Sequence, residues 1–365
     1  MIGITQVLLV IIAVLLFGLV ITIHEFGHFF TAKLCGIRVN EFAVGMGPQI
    51  VSFQKGDTLY SLRLLPIGGY CAMEGEQEDS SDERAFNRKP VWKRILVVCM
   101  GAVMNIVLGL ILMVIVLLQM PLMGSNVVAR FEENSALQAA GIQVGDVITS
   151  IDGYTVRTDR DLQFALAILD TSGSEVLADF TVDREGQTLH FPDVKLNTVQ
   201  AEDGTKSIIF DFKVMAIPKT FGTVLQKAVE DTISIVRLVW QSLFMLVTGQ
   251  FGLNDLAGPV GTASAITQAA SAGLESNGFA GALSNIVYII MVITVNLGIM
   301  NLLPIPALDG GRLLFLIIEA VVRRPIPRRF EGIVTAAGFI FLMAVMVLVT
   351  FSDILRLFTG QGLGA

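Results

Sequence analysis

Apolar residues gather into four long runs, at residues 5–34, 95–120, 281–303 and 333–351. Each is long enough for a transmembrane helix, which needs about 20 residues to cross the hydrocarbon of a bilayer. A fifth run, 221–251, carries Lys227, Glu230, Asp231 and Arg237 among its apolar residues. That pattern predicts an amphipathic helix that lies on a surface or re-enters the membrane, not a fifth span. The first run lacks a basic lead and a small-residue cleavage site, so it reads as a retained helix rather than a signal peptide.

Other patterns fill the intervals. Residues 39–44, 50–53 and 58–65 have strand composition, punctuated by Gly45, Gly47, Pro48, Gly56, Asp57, Gly68 and Gly69. They predict a small sheet within 35–92, ending in an acidic linker at 76–83. Farther on, Asn134-Ser135-Ala136 and Gly141 mark a short capped helix, and 145–148 with 151–153 read as strand, turn and strand. Segments 176–183 and 188–194 flank a turn at Arg184-Glu185-Gly186. Residues 125–215 thus form one expected domain, small enough for a single core. The expected order is a first helix at 1–34, the β-loop at 35–92, a second helix at 93–120 and the domain at 125–215. A helical linker at 216–276 follows, then a third helix with a basic loop at 277–331 and a fourth helix with the C-terminus at 332–357.

Charge orients the spans. Arg84, Arg88, Lys89, Lys93 and Arg94 precede the second run, and Arg312, Arg323, Arg324, Arg328 and Arg329 lie between the last two. The excess of cations on cytoplasmic loops places both basic loops inside, both termini outside, and residues 121–276 outside. Composition agrees with a membrane protein: 53% of the 365 residues are hydrophobic and 16% charged. A formal charge of −7 without a dense basic run argues against nucleic acid as a partner. Cys35, Cys71 and Cys99 show neither C-x-x-C spacing nor an even count, so they read as small apolar residues.

Against this background, His24-Glu25-Phe26-Gly27-His28 stands inside the first apolar run. Ionisable groups in a membrane are costly and point to function. Residues i and i+4 share one helix face, so His24 and His28 can hold one Zn²⁺ while Glu25 acts as a base. Two buried histidines joining helices would be the plainer reading, but it leaves Glu25 without a role. A catalytic zinc site needs a third protein ligand. The third histidine, His190, falls in the outer domain. Asp309 is the best candidate: it ends the charge-free third run in Asn301-Leu302-Leu303-Pro304-Ile305-Pro306-Ala307-Leu308-Asp309-Gly310-Gly311. There, prolines stop the helix and glycines admit close backbone approach. Glu319 is the runner-up.

These motifs resemble those of the site-2 proteases, a family of intramembrane zinc metalloproteases. The chain is most similar to the bacterial regulators of anti-sigma factors, here with a single PDZ domain where the best-known enterobacterial members carry two. The likeness spans nearly the whole chain: H-E-F-G-H matches H-E-x-x-H, and 301–310 matches N-x-x-P-x-P-x-L-D-G. Residues 134–153 look like part of a PDZ domain. Ala257-Gly258-Pro259-Val260-Gly261 resembles the glycine-proline motif that follows it. The resemblance implies a polytopic α-helical membrane protein with four transmembrane helices, a membrane-associated β-loop and an extracytoplasmic α+β PDZ-like domain. It implies one Zn²⁺ per chain on His24, His28 and Asp309, with Glu25 as general base. Asn301 would bond the substrate backbone or the oxyanion. Gly45, Gly47, Pro304 and Pro306 would border the substrate, and strand addition around 58–65 would hold it extended.

The expected activity is cleavage within the span of single-span membrane proteins, anti-sigma factors or signal-peptide remnants, after a first cut by another protease. The expected location is a bacterial inner membrane, with the lipid bilayer itself as a partner and the site near the cytoplasmic face. The PDZ-like domain would bind a peptide or new C-terminus, or exclude bulky substrates; the likeness leans towards exclusion. A silent scaffold would need neither Glu25 nor Asp309, and a transporter would favour ionisable groups along several spans or inverted repeats.

Overall fold

A computed structural model describes residues 4–76, 78–171, 173–200, 206–250, 252 and 256–359, so that Gln77 of the acidic linker lies outside the described residues. The chain divides into two units, Met1–Leu112 with Leu246–Gly364, and Met113–Met245.

The first unit carries helices α1 (Ile4–Leu34), most of α2 (Val91–Gln119), α6 (Pro259–Leu302), α7 (Asp309–Val322) and α8 (Arg328–Thr359). By length and composition α1, α2, α6 and α8 are able to cross a membrane. Large apolar side chains such as Leu15, Ile111, Phe339 and Ile340 are exposed on them. That is the reverse of a soluble protein's economy and suits contact with lipid.

Helix α6 is longer than the expected third span, and it is not straight. Its backbone leaves helical geometry at Asn277 (φ −138°, ψ 22°) and Gly278 (φ 63°, ψ −152°). Asn285 Nδ2 nevertheless donates to Ala269 O at 2.9 Å, across 16 residues. A straight helix would hold those groups about 24 Å apart. The chain therefore doubles back, and residues 259–276 lie against 279–302 as a helical hairpin. Gly273 and Gly281 permit it, since a Cβ on either would strike the other's backbone.

The start of α6 is capped by another helix. Gly258 is its N-cap residue and has no side chain to offer. Asp353 of α8, with no exposed surface, accepts the Gly261 N–H at 2.7 Å instead. A carboxylate there satisfies an orphan amide and meets the positive end of the helix. A Cβ on Gly258 would stand 2.7 Å from Asp353 Oδ2, which accounts for a glycine at that place in the G-P-V-G motif.

Strands β1 (Val39–Lys55) and β2 (Thr58–Met73) follow α1. Each bends on itself, so the pair builds four runs. Residues 41–44 pair with 59–62 on one side, residues 39–44 pair with 69–73 on the other, and 49–55 pair with 58–63. The run 58–65, expected to receive a substrate strand, is thus internal over most of its length. The edges are 49–55 and 69–73. Glycines in such a pattern predict strand ends. Gly45, Gly47 and Gly68, at φ 85°, 83° and 92°, are instead bends within continuous strands.

In the second unit β3 (Met123–Phe131), β4 (Val147–Ile151), β6 (Val176–Arg184), β7 (Gln187–Leu196) and β10 (Phe212–Ile217) form an antiparallel sheet in the order β10-β3-β4-β6-β7, with β5 (Tyr154–Thr155) beside β4. A separate ribbon pairs β8 (Thr198–Gln200) with β9 (Lys206–Ile208). Helices α3 (Ala136–Ala139) and α4 (Asp159–Ala167) contribute Leu137, Leu162 and Leu166 to a core around Ile148, Phe180 and Val182. Helix α5 (Phe221–Val247) is amphipathic. Its buried Lys227 meets Asp159 and Asp231, both at 2.5 Å, while Phe221, Leu225, Phe244 and Val247 of its apolar face are exposed.

Asp146, almost wholly buried, receives both arms of the Arg184 guanidinium, at 2.7 and 2.6 Å. That guanidinium holds the Asp146 carboxyl below the usual carboxylate range. A carboxyl depressed in the folded state stabilises above its unfolded pKa of about 3.9, and the contribution is lost as pH falls through the folded value. Arg184→Gln is expected to destabilise this unit at neutral pH, with a smaller difference from wild type in acid. Hydrogen exchange on β4 measures it; equal protection in both proteins at neutral pH would refute it.

Candidate active site

Helix α1 delivers two imidazoles to one point because His24 and His28 are one turn apart on its buried face. The third group arrives from 281 residues farther along, at the first residue of α7. Asp309 Oδ2 lies 3.1 Å from His24 Nε2 and 3.2 Å from His28 Nε2, and the two Nε2 atoms are 3.2 Å apart. Among the described residues these three form the one cluster with metal-ligand geometry.

The donor set fits zinc. Bonds of about 2.0–2.1 Å from a tetrahedral ion separate its ligand atoms by about 3.3 Å, close to the triangle found. Asp309 Oδ2 is buried without a hydrogen-bond partner, which a cation would supply. His28 turns its other nitrogen, Nδ1, to Val97 O at 2.9 Å, which leaves its Nε2 free to ligate.

The backbone around Asp309 is held tightly. Between α6 and α7 the chain passes Pro304 and Pro306, with Ala307 at φ 78°. A Cβ on Gly310 would come 2.5 Å from Leu303 C, and one on Gly311 would come 2.8 Å from Pro306 Cα. Gly338 of α8 packs on Pro306 in the same way. A non-glycine residue at positive φ is strained, and such strain gathers at functional sites. Asn301 is the next-to-last residue of α6, one turn before Pro304.

Glu25 is half-buried and points towards the sheet edge. A Cβ on Gly69 would lie 3.6 Å from Glu25 Cγ and 3.9 Å from Gly45 N, so the run 69–73 passes the carboxylate. Gly45 and Gly47 shape this sheet rather than touch the triangle: Arg63 Nη1 donates to Gly47 O at 2.8 Å, and a Cβ on Gly45 would meet Leu65 O. Cys71, on the same edge, is buried, and burial pushes its thiol up, which keeps it from acting as a nucleophile.

A cavity of about 890 Å³ opens beside Asp309, with Glu76, Arg94, Arg312 and Glu319 in its wall. Its wall mixes these charged groups with apolar ones such as Phe86 and Phe339, and it can bring water to the site. Glu319, the alternative ligand, is taken by Arg94 at 2.5 and 3.1 Å and does not join the cluster. His190 sits on β7 near Thr181. Two residues of α2 escaped the sequence reading. A Cβ on Gly101 would stand 2.6 Å from His28 Cε1 and 2.8 Å from His24 Cε1, and Asn105 faces His24 Nδ1. Their signal was a glycine and an amide one turn apart within the apolar stretch 95–118.

Comparison with known proteins points the same way. The family model described as Peptidase family M50 matches residues 12–345. A Clostridium perfringens protein named as a zinc metalloprotease is 36% identical, covering 95% of this chain and 98% of its own. One from Clostridium acetobutylicum, named likewise, is 34% identical over 94% and 97% of the two chains. The regulator of sigma-W protease RasP of Bacillus subtilis is 31% identical over 96% and 99%. With four apolar helices of membrane-spanning length and a family match over nearly the whole chain, this protein belongs to peptidase family M50, the site-2 proteases, and is a multi-pass membrane zinc metalloprotease.

Proposed function

We propose that the protein hydrolyses a peptide bond inside the membrane-spanning segment of single-span proteins, using one Zn²⁺ held by His24, His28 and Asp309. The observation that carries this is the triangle of ligand atoms, with edges of 3.1–3.2 Å, whose two histidine corners lie on a helix otherwise apolar enough to lie in lipid. When bound, zinc supplies Lewis acidity towards water and the scissile carbonyl. Glu25 takes the proton from the attacking water and returns it to the leaving amine. Asn301 donates its amide to the substrate backbone or to the developing oxyanion. Water enters through the cavity beside Asp309.

A helical substrate shields its own amides, so the span must be extended before it is cut. The edge 69–73, beside Glu25, is the place for it: main-chain bonds to that edge hold any sequence in an extended form. Pro304 and Pro306 border the same space. The sheet over 123–217 serves as an extracytoplasmic PDZ-like domain that excludes substrates with bulky outer domains. The basic residues flanking α2 and α7 support an active site near the cytoplasmic face. The substrates are anti-sigma factors or signal-peptide remnants already shortened by another protease. The relative named as a regulator of sigma-W supports that class.

A photo-cross-linking residue tests the substrate's path. Placed at Tyr70 in a Glu25→Gln background it is expected to capture the span of a truncated substrate; placed at Gln54, on the opposite edge, it is not. Capture at Gln54 alone, or at Tyr70 only through residues outside the substrate's span, would overturn the arrangement.

A further inference from the structure

We propose that Asn105 is a positioning residue whose side-chain oxygen accepts the Nδ1–H of His24 and so keeps that imidazole's Nε2 free for the metal. The inference rests on the ligand assignment above. Asn105 lies on α2 with no exposed surface, and its amide nitrogen stands 3.4 Å from His24 Nδ1. Its Oδ1 is buried and has no hydrogen-bond partner. A ligating role for His24 selects between the two assignments of the amide. A neutral histidine that ligates through Nε2 carries its proton on Nδ1, and that proton needs an acceptor. An NH₂ group cannot accept. A half-turn of the amide exchanges oxygen and nitrogen within the same shape. It brings the orphan oxygen and the unmatched Nδ1–H together.

His28 shows the same logic with a group that allows no choice. Its Nδ1 meets the carbonyl oxygen of Val97 at 2.9 Å, an acceptor only, so His28 is held as the Nδ1–H tautomer. Val97, Gly101 and Asn105 recur every fourth residue, along one face of α2. That face offers an acceptor, a gap into which both imidazoles fit, and a second acceptor. The plainer role for a buried asparagine is interhelical bonding. Here Thr294 Oγ1 bonds the Asn105 backbone oxygen at 3.3 Å and leaves the side chain to His24.

The test compares zinc affinity, by chelator competition in detergent, for wild type, Asn105→Leu and Asn105→Asp, with His24→Ala as control. Leu has similar bulk and no acceptor; Asp accepts but cannot donate. Asn105→Leu is expected to bind zinc about 10–100-fold more weakly, and Asn105→Asp to stay within about threefold of wild type. Asn105→Asp as weak as Asn105→Leu would overturn the acceptor role, because the lost function would then be the NH₂. Wild-type affinity in Asn105→Leu while His24→Ala loses zinc would overturn the role of Asn105 alone. Undiminished affinity in His24→Ala would instead overturn the ligand assignment. Should Asn105→Leu fail to fold, ¹⁵N-histidine spectra of the zinc-loaded wild type decide, since the chain has only 3 histidines. The expected His24 tautomer carries its proton on Nδ1; a proton on Nε2 would refute the proposal.

Discussion

Glu25→Gln is expected to leave a folded, zinc-loaded protein that has lost at least about 10³-fold in kcat/KM, within the range that general acid–base catalysis contributes. Glutamine keeps the shape and the packing against the run 69–73 but cannot take a proton. Glu25 stands outside the triangle of His24, His28 and Asp309, so the metal should stay. The pairing of lost hydrolysis with retained zinc is what separates a base from a ligand. Both are read on one preparation, by turnover of a truncated single-span substrate and by metal content. Zinc lost with activity would make Glu25 a ligand; activity within tenfold of wild type would put the base elsewhere.

Asp309→Asn is expected to reverse that pairing, with zinc affinity reduced on the order of 10³-fold. Apparent zinc binding in four-ligand structural sites is worth about 10–16 kcal/mol, so one charged ligand of three carries several kcal/mol, and about 4 kcal/mol is a factor of 10³. The substitution removes the negative charge facing both imidazoles and keeps the volume beneath Leu303 and Pro306. Glu319 cannot replace it, being paired with Arg94. Chelator competition measures the affinity. A near-wild-type value would place the third ligand on another residue.

The two halves of the site were legible for different reasons. His24, Glu25 and His28 combine helical spacing with an apolar setting that makes each polar residue expensive, so chance was a poor explanation. Asp309 was found because prolines and glycines at the end of a charge-free run announce a break with a purpose. What could not be read was the meeting of residues 24, 28 and 309, which depends on helix packing and not on local pattern. The same limit hid what α2 contributes to the site. Gly101 looks like any small residue in an apolar run until its neighbours are known to be the two histidines.

Elsewhere the reading failed where glycine has two meanings. Gly45, Gly47 and Gly68 looked like strand ends, yet their bends at positive φ let β1 and β2 run on, and the free edge moved from 58–65 to 69–73. Asn277-Gly278 interrupts α6 without a proline; the dipeptide is a turn signal, but it lies between two helical runs and the expected boundary of linker and third helix at 276/277 passed over the fold-back of 259–276. The β6–β7 hairpin, by contrast, was plain: strand-forming residues on both sides enclose Glu185 and Gly186, which take the positive φ that a tight turn requires.

The position of the cut tests the central claim most directly. Purified zinc-loaded protein in detergent is mixed with a truncated single-span substrate, and the products are sized by mass spectrometry beside a Glu25→Gln control. The account predicts new termini inside the substrate's apolar span, absent from the control. Cuts confined to the water-exposed flanks, or the same cuts by both proteins, would contradict it.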